Sequence, residues 1–191
     1  MTNALAIRRL SFTAADLGRA GAFYAALGFV PTETGPADAD ELAALGLPRA
    51  RAERLRMRLG AQEIEFLAFD PPGRTYPPDS TSSDLWFQHI AIAVGDMREA
   101  HRRLMAAGGA TPITEGGPQH LPPNTGGVTA FKFRDPDGHP LEFLEFPPGV
   151  GDPAWQRPEG GSPFLGIDHT AISVGEVGRS RAYYEGLGFR Q

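Results

Sequence analysis

One histidine and two glutamates are placed along the sequence where they could support metal-binding or acid–base chemistry. His89 opens the segment His-Ile-Ala-Ile-Ala-Val, in which large apolar residues alternate with alanine. Successive side chains of a strand point to opposite faces, so His89 shares a face with Ala91 and Ala93, away from the face that packs under a helix. Because alanine leaves space, we interpret this face as the wall of a cavity.

The two glutamates are also expected on a cavity-lining face of a strand. Each lies between two large apolar residues, in the segments Leu-Glu142-Phe and Ile-Glu65-Phe. If the apolar neighbours take the helix side, each carboxylate points inward onto a concave, partly apolar face. A carboxylate there is costly unless a positive group meets it. The expected partner of each glutamate is therefore a metal ion or an arginine.

The elements that position these residues belong to a repeat. The acidic residue of the repeated pattern recurs at Asp16, Asp96 and Glu176, a constant spacing of 80 residues. In each copy a strand-like alternation is followed by helical spacing of apolar residues, and the copy closes on a glycine. These glycines are Gly28, Gly108 and Gly188. A long repeat is typical of duplicated supersecondary units, and we expect function where the copies meet.

Segments rich in proline, glycine and serine separate the repeated units. They predict a first module at residues 1–70, a linker at 71–84, a second module at 85–147, a linker at 148–164 and the start of a third module at 165–191. Each full module reads as a strand, a helix and then two or three antiparallel strands, which predicts a mixed α+β fold.

Composition excludes several classes of function. The net charge of −5 and the sequence pI near 5.5 argue against a nucleic-acid partner. No apolar run has membrane-spanning length and the N-terminal segment lacks a signal-peptide core, so a cytoplasmic protein without a membrane partner is expected. The absence of cysteine removes disulfides, thiolate metal sites and cysteine nucleophiles.

The unit headed by His89 ends in Asp135-Pro-Asp-Gly-His-Pro-Leu-Glu142, and this pattern resembles the vicinal oxygen chelate superfamily. That superfamily includes glyoxalase I, extradiol dioxygenases, and fosfomycin- and bleomycin-resistance proteins. The resemblance implies repeated βαβββ modules that form a cupped mixed sheet with helices on the convex face. It also implies a divalent metal bound by the first and last strands of paired modules, at positions held here by Arg9, Glu65, His89 and Glu142.

Arg9 departs from the family pattern, because arginine keeps its proton and cannot be a ligand. The metal set implied by the resemblance is then His89, Glu65 and Glu142, which would suit one ion of Mn, Fe, Zn, Ni, Co or Mg without choosing among them. In the competing interpretation Arg9 takes the place of the metal and pairs with Glu142 or Glu65, so that no ion is needed.

With a metal, the resemblance implies a glyoxalase-like or dioxygenase-like enzyme, either a lyase or isomerase or a ring-cleaving oxidoreductase. Its substrate would be a small molecule with vicinal oxygens. Glu142 would be the catalytic residue, with Glu65 as the alternative: one of them would move a proton, and burial would raise its proton affinity. Arg9 would anchor an anionic substrate. The alternative is a metal-free protein that binds a drug or metabolite, as in the bleomycin-resistance branch. A third possibility is a structural or regulatory half of a larger protein.

The third module contributes a strand and a helix, and several interpretations of it stay open. The chain is expected to be a fragment of a longer polypeptide, in which His169 would head a second, incomplete metal site. Alternatively, the strand and helix dock on the cup or on a partner subunit. Cupped sheets of this type form within one chain or by exchange between two chains, so a homodimer is one of the expected assemblies.

Overall fold

The computed structural model describes residues 7–156 and 161–190. Ten strands and four α-helices are formed within these ranges. The strands are β1 (Arg9–Thr13), β2 (Val30–Pro36), β3 (Arg51–Leu59), β4 (Gln62–Asp70), β5 (Gln88–Val94), β6 (Thr111–Pro112), β7 (Gln119–His120), β8 (Thr129–Arg134), β9 (Pro140–Glu145) and β10 (Phe164–Ile172). The helices are α1 (Leu17–Ala26), α2 (Ala39–Ala44), α3 (Met97–Ala107) and α4 (Val177–Gly186). The outer ends of the first and third modules and part of the second linker lie outside the described residues.

The strands form two mixed sheets built on the same plan. The N-terminal sheet has the order β1-β4-β3-β2, and the C-terminal sheet has the order β10-β5-β9-β8-β6, with β7 paired to β8. In both sheets the first strand of a repeat runs parallel to the last strand, β1 beside β4 and β5 beside β9. The α+β fold predicted from the sequence is confirmed. The third repeat adds β10 to the C-terminal sheet, antiparallel to β5.

The two faces of β5 pack in different places, as the alternation predicts. Ile90, Ile92 and Val94 belong to the main core, which the two sheets share with α1 and α3. Ala91 faces the other way and packs with Leu144 in a small separate apolar cluster. The polar residues that alternate with core residues therefore lie on the inner face of each sheet.

The acidic residue of each repeat has a structural role at a helix start. Asp16, Asp96 and Glu176 each accept a hydrogen bond from a backbone N–H of the first helical turn. Such a cap satisfies a donor that the helix itself leaves free and contributes about 1 kcal/mol. Beyond α1, Gly28 has a φ of +82°, a backbone conformation that favours glycine. The repeat thus encodes where its helices begin and end.

Helix α4 packs differently from its counterpart α1. In α1, Phe23 and Tyr24 are buried in the core, whereas the equivalent Tyr183 of α4 is 64% exposed. No residue of α4, all of which is described, is buried. The apolar side of α4 therefore lacks the core packing that α1 has.

None of the helices described is long and apolar enough to span a bilayer.

Candidate functional site

Two histidines and a glutamate converge on the inner face of the C-terminal sheet. His89 Nε2 lies 3.2 Å from Glu142 Oε2 and 3.3 Å from His169 Nε2. One ligand atom from each of the three residues lies within 4.8 Å of the others, and we call this group the His–Glu–His cluster. His89 and Glu142 are buried, while His169 is partly exposed. The cluster is therefore closed on the sheet side and accessible from one side.

Strand register places the three side chains around Ala91. Ala91 pairs with Glu142 in the parallel β5–β9 ladder and with His169 in the antiparallel β10–β5 ladder. Side chains of paired residues lie on the same face of a sheet, and His89 is on that face because it is two residues away along β5. The small side chain at position 91 leaves room for the two imidazoles and the carboxylate to approach one another.

The orientation of His169 is fixed by a hydrogen-bonded chain. Its Nδ1 lies 2.8 Å from Asp168 Oδ2, and Asp168 Oδ1 accepts a hydrogen bond of 2.7 Å from Trp155 Nε1. A carboxylate accepts hydrogen bonds, so Nδ1 carries the proton and Nε2 presents a lone pair to the cluster. A carboxylate behind a histidine is the usual arrangement when that histidine binds a metal.

Glu142 is held by a cation as well as by the histidine. Lys132, the only lysine in the sequence, faces Glu142 in the β8–β9 ladder, and its Nζ lies 2.7 Å from Glu142 Oε2. Burial raises the pKa of Glu142, but the hydrogen bonds from His89 and Lys132 and the charge of Lys132 outweigh it, so the pKa lies below its usual value. The prediction that burial raises the proton affinity of Glu142 is therefore wrong, and Glu142 is ionised at neutral pH.

The structure places Glu65 outside the cluster, which corrects the predicted set of His89, Glu65 and Glu142. Glu65 belongs to the N-terminal sheet and is only 3% exposed. Its Oε1 accepts from Arg56 Nε at 2.9 Å, and its Oε2 lies 2.9 Å from Ser11 Oγ and 3.3 Å from Arg9 Nε. Arg56 faces Glu65 directly in the β3–β4 ladder, so the sheet itself supplies the positive partner.

Arg9 pairs with Glu65, as the competing interpretation predicts, and it also pairs with Glu41. Glu41 lies on α2 and contacts Arg9 Nη2 at 2.8 Å, Arg56 Nη2 at 2.9 Å and Arg54 at 3.2 Å. Glu33 completes this group, which we call the arginine–glutamate cluster. Hydrogen bonding from Arg9 is the main cause that lowers the pKa of Glu41. Arg9 is thus engaged by two carboxylates rather than directed at the His–Glu–His cluster.

His169 was assigned from the sequence to a second, incomplete site, and that assignment is corrected by the geometry. The docking of β10 on β5 brings His169 to His89, as one of the open interpretations anticipated. A signal for this contact was present in the sequence, because His89 and His169 head equivalent strands of the repeat. The roles of Asp168 and Lys132 could not be predicted from the sequence, because they depend on which strands lie side by side.

Comparisons with known proteins agree with this architecture. Residues 6–143 match the family described as the Glyoxalase/Bleomycin resistance protein/Dioxygenase superfamily. No curated protein sequence matches the chain. A glyoxalase family protein from Bacillus cereus is similar in structure, with 20% identity and a TM-score of 0.59, over 75% of this chain and 95% of that one.

Two further solved structures share the fold. One is a glyoxylase/bleomycin resistance protein/dioxygenase domain from Frankia sp. EAN1pec, with 20% identity and a TM-score of 0.55, covering 78% of this chain and 96% of that one. The other is a mutant of the genomically encoded fosfomycin resistance protein from Listeria monocytogenes, complexed with Mn(II) and a dihydroxypropylphosphonic acid. It has 12% identity and a TM-score of 0.52, over 76% of this chain and 93% of that one. At these identities the likeness concerns the fold alone.

Proposed function

Because the chain belongs to the Glyoxalase/Bleomycin resistance protein/Dioxygenase superfamily, we propose that it is a divalent-metal-dependent enzyme of glyoxalase-like or dioxygenase-like type. The substrate class is a small molecule with two neighbouring oxygens. The observation that carries the proposal is the convergence of His89, Glu142 and His169 within 4.8 Å of one another. The cytoplasmic location expected from the sequence stays a prediction.

The spacing of the donor atoms fits a first-row ion. Metal–nitrogen and metal–oxygen bonds of about 2.1 Å put neighbouring ligand atoms about 3.0 to 3.4 Å apart, depending on the coordination geometry. The two contacts of His89 Nε2, at 3.2 and 3.3 Å, fall in this range. When His89 Nε2 is deprotonated, as metal binding requires, each contact places its lone pair against another lone pair, on Glu142 Oε2 or on His169 Nε2. A cation between these atoms would relieve their repulsion.

The donor types narrow the choice of metal. Two imidazoles and one carboxylate suit Mn, Fe, Co, Ni or Zn, whereas Mg prefers oxygen ligands throughout. The same set with open positions occurs in non-haem iron oxygenases and in zinc hydrolases. We therefore favour a transition metal over Mg. A fully protein-ligated structural site is disfavoured, because only three donors converge in the described part of the chain and one of them is partly exposed.

The chemistry follows from the properties of the site. A divalent ion bound there would act as a Lewis acid that holds two substrate oxygens and stabilises developing negative charge. Glu142 is ionised and can accept a substrate proton, and Lys132 at 2.7 Å provides a positive charge beside it. The apolar side chains around Ala91 limit water on the sheet side. The anchoring role predicted for Arg9 stays a prediction, and the proposed site does not depend on it.

A metal-free binding protein is the second candidate. It is favoured by the ion pair of Lys132 with Glu142, because this pair satisfies the buried carboxylate without any metal. In that case His89 and His169 would share a proton across the 3.3 Å contact, and the inner face would sequester a drug or metabolite.

Elemental analysis after mild dialysis separates the two candidates. The protein is incubated in turn with Mn, Fe(II), Co, Ni and Zn salts, dialysed, and analysed for bound metal. We expect about one ion per chain in the wild type and in Glu65→Gln, and loss of the ion in His89→Ala and His169→Ala. Retention of the same ion by the two histidine variants, or its absence from the wild type, would exclude the metal site. The loaded protein is then assayed for isomerisation of an α-hydroxy ketone and for oxygen uptake with a catechol.

A further inference from the structure

A buried histidine outside the His–Glu–His cluster lies where the two sheets meet. His139 follows the β8–β9 turn, its side chain is 7% exposed, and its Nδ1 lies 3.0 Å from Asp135 Oδ2. The ring also makes edge contacts with Phe12 and Tyr76, at centroid distances of 5.3 and 5.7 Å. Although His139 is next to a turn, the Asp135 side chain holds the ring inside the protein.

The carboxylate of Asp135 fixes the protonation of this ring. Its Oδ1 accepts from the backbone N–H of Asp137 at 2.9 Å and of His139 at 2.8 Å, and its Oδ2 accepts from the Tyr24 hydroxyl at 3.1 Å. Burial and the neighbouring Asp135 raise the pKa of Tyr24, so Tyr24 keeps its proton and donates it. With three such donors Asp135 is a carboxylate acceptor, and His139 must donate to it through Nδ1.

In the tautomer that donates through Nδ1, the free lone pair of the His139 ring is on Nε2. Among the described residues Nε2 forms no hydrogen bond, and His139 lines a cavity of about 330 Å³. A volume of this size is at the lower end of the range for small-molecule pockets. An oriented imidazole with one satisfied nitrogen and one free nitrogen is suited to a ligand that donates a hydrogen bond, such as a hydroxyl group.

The other residues that line the cavity indicate what further groups a ligand should have. They lie at the end of β1, at the end of β4, in the linker and in the β8–β9 turn, and they include Phe69, Pro72, Arg74, Tyr76 and Asp137. The aromatic and proline side chains provide flat apolar surface. The negative charge of Asp137 is neutralised by Arg19 at 2.5 Å. Arg74 is exposed and forms no ion pair with any described residue, so it is available for an anion.

We propose that this cavity, which we call the junction cavity, binds a small hydroxylated aromatic carboxylic acid. The hydroxyl group donates to His139 Nε2, the aromatic ring packs against Phe69 and Tyr76, and the carboxylate pairs with Arg74. The junction cavity shares no residue with the His–Glu–His cluster. Binding is therefore independent of metal and of the proposed reaction.

Isothermal titration of the full chain with 4-hydroxybenzoate, in the presence of a chelator, tests this proposal. We expect saturable binding, and binding weakened about tenfold or more for 4-methoxybenzoate, which lacks the hydrogen-bond donor. Arg74→Gln should weaken binding by a similar factor, while Arg98→Gln, an exposed arginine on α3, should leave it unchanged. Ala15→Leu, which fills the cavity from its exposed side, should abolish binding without touching His139.

A direct readout identifies the atom involved. In protein labelled with ¹⁵N-histidine, 4-hydroxybenzoate should shift the Nε2 resonance of one histidine, and that resonance should be missing from His139→Phe. If His139→Phe does not fold, the Arg74 and Ala15 variants still decide the matter. Absence of binding, equal affinity for the methoxy compound, or equal affinity in Arg74→Gln and Ala15→Leu would each overturn the proposal.

Discussion

Glu65 and Glu142 occupy equivalent positions in the two sheets, and each faces a basic residue on the adjoining antiparallel strand. The partner is Arg56 for Glu65 and Lys132 for Glu142. In both sheets the carboxylate is buried on the inner face, and the cation opposite it compensates the cost of burial. The two inner faces therefore share the same pairing of a buried carboxylate with a cation on the adjoining strand.

The first strands make the difference between the two faces. In the N-terminal sheet the first strand supplies Arg9, so that Glu65 has a second arginine partner. In the C-terminal sheet the first strand supplies His89, and β10 adds His169 beside it. One face therefore carries a cluster of ion pairs, while the other combines a carboxylate with two imidazoles. This contrast gives rise to the following predictions.

Asp168→Asn should weaken metal binding about 10- to 100-fold, because Asp168 fixes the ring orientation and tautomer of His169. An asparagine at this position can offer an N–H to Nδ1 and so favour the wrong tautomer. The affinity for Zn is measured by competition with a chromophoric chelator. Asp79→Asn is the matched control, because Asp79 is exposed and its side chain forms no hydrogen bond with any residue that the structure describes. Equal affinity in the two variants would show that His169 does not need Asp168.

Lys132 should report metal binding through its amino group. Reductive ¹³C-methylation keeps the positive charge and labels one lysine side chain, since the sequence contains no other. Zn should shift the Lys132 methyl resonance, because the ion would bind the Glu142 oxygen that Lys132 contacts at 2.7 Å. The shift should persist in Glu65→Gln and vanish in His89→Ala. A resonance unaffected by Zn in the wild type would contradict metal binding at Glu142.

Arg56→Met should lower the free energy of unfolding by about 3 kcal/mol or more, because it leaves the buried Glu65 carboxylate with a weaker set of partners. Urea unfolding followed by circular dichroism measures the change. Arg58→Met serves as control, since Arg58 is exposed on the same strand and should change stability by about 0.5 kcal/mol or less. A loss at position 56 no larger than at position 58 would mean that Arg9 and Ser11 satisfy Glu65 without Arg56.

The arginine–glutamate cluster should make stability depend on acidic pH. The pKa of Glu41 is lower in the folded chain than in the unfolded chain, mainly because Arg9 donates a hydrogen bond to it. Its stabilising effect is then fully present above the unfolded value, about 4.3, and is lost as the pH falls through the folded pKa. The free energy difference between wild type and Glu41→Gln should be constant from pH 7 to about pH 5 and shrink below that.

Glu53→Gln is the control for this measurement, because Glu53 is exposed on β3 and has no ion-pair partner among the described residues. Its difference from the wild type should be small at every pH. If the Glu41→Gln difference is unchanged at pH 3, the contacts of Glu41 with the arginines do not contribute to stability.

The local features of the fold were readable from the sequence. Alternation on β5 predicted which side chains enter the core, and the glycine after each helix predicted where α1 and α3 end. Strand β2 was not predicted, because its segment Val-Pro-Thr-Glu-Thr-Gly-Pro is polar and mostly exposed, so it lacks the apolar alternation on which strand prediction depends.

The composition of the candidate site was predicted only in part. His89 and Glu142 follow from the face they occupy within one repeat, and the structure brings them together. Glu65 was placed with them because its local pattern is the same, but its partners are set by the neighbouring strand β3. The role of His169 depends on the pairing of β10 with β5, a contact between distant segments that local periodicity does not encode.

The docking of β10 along β5 means that the candidate site is composed of two parts from different repeats. One part, with His89 and Glu142, lies on β5 and β9, and the other part, His169, lies on a strand that pairs with β5 and buries Phe164 and Ile167 in the core. The donor set of the inner face therefore depends on the docking of this strand: without β10, His89 and Glu142 remain on the sheet and the second imidazole is lost.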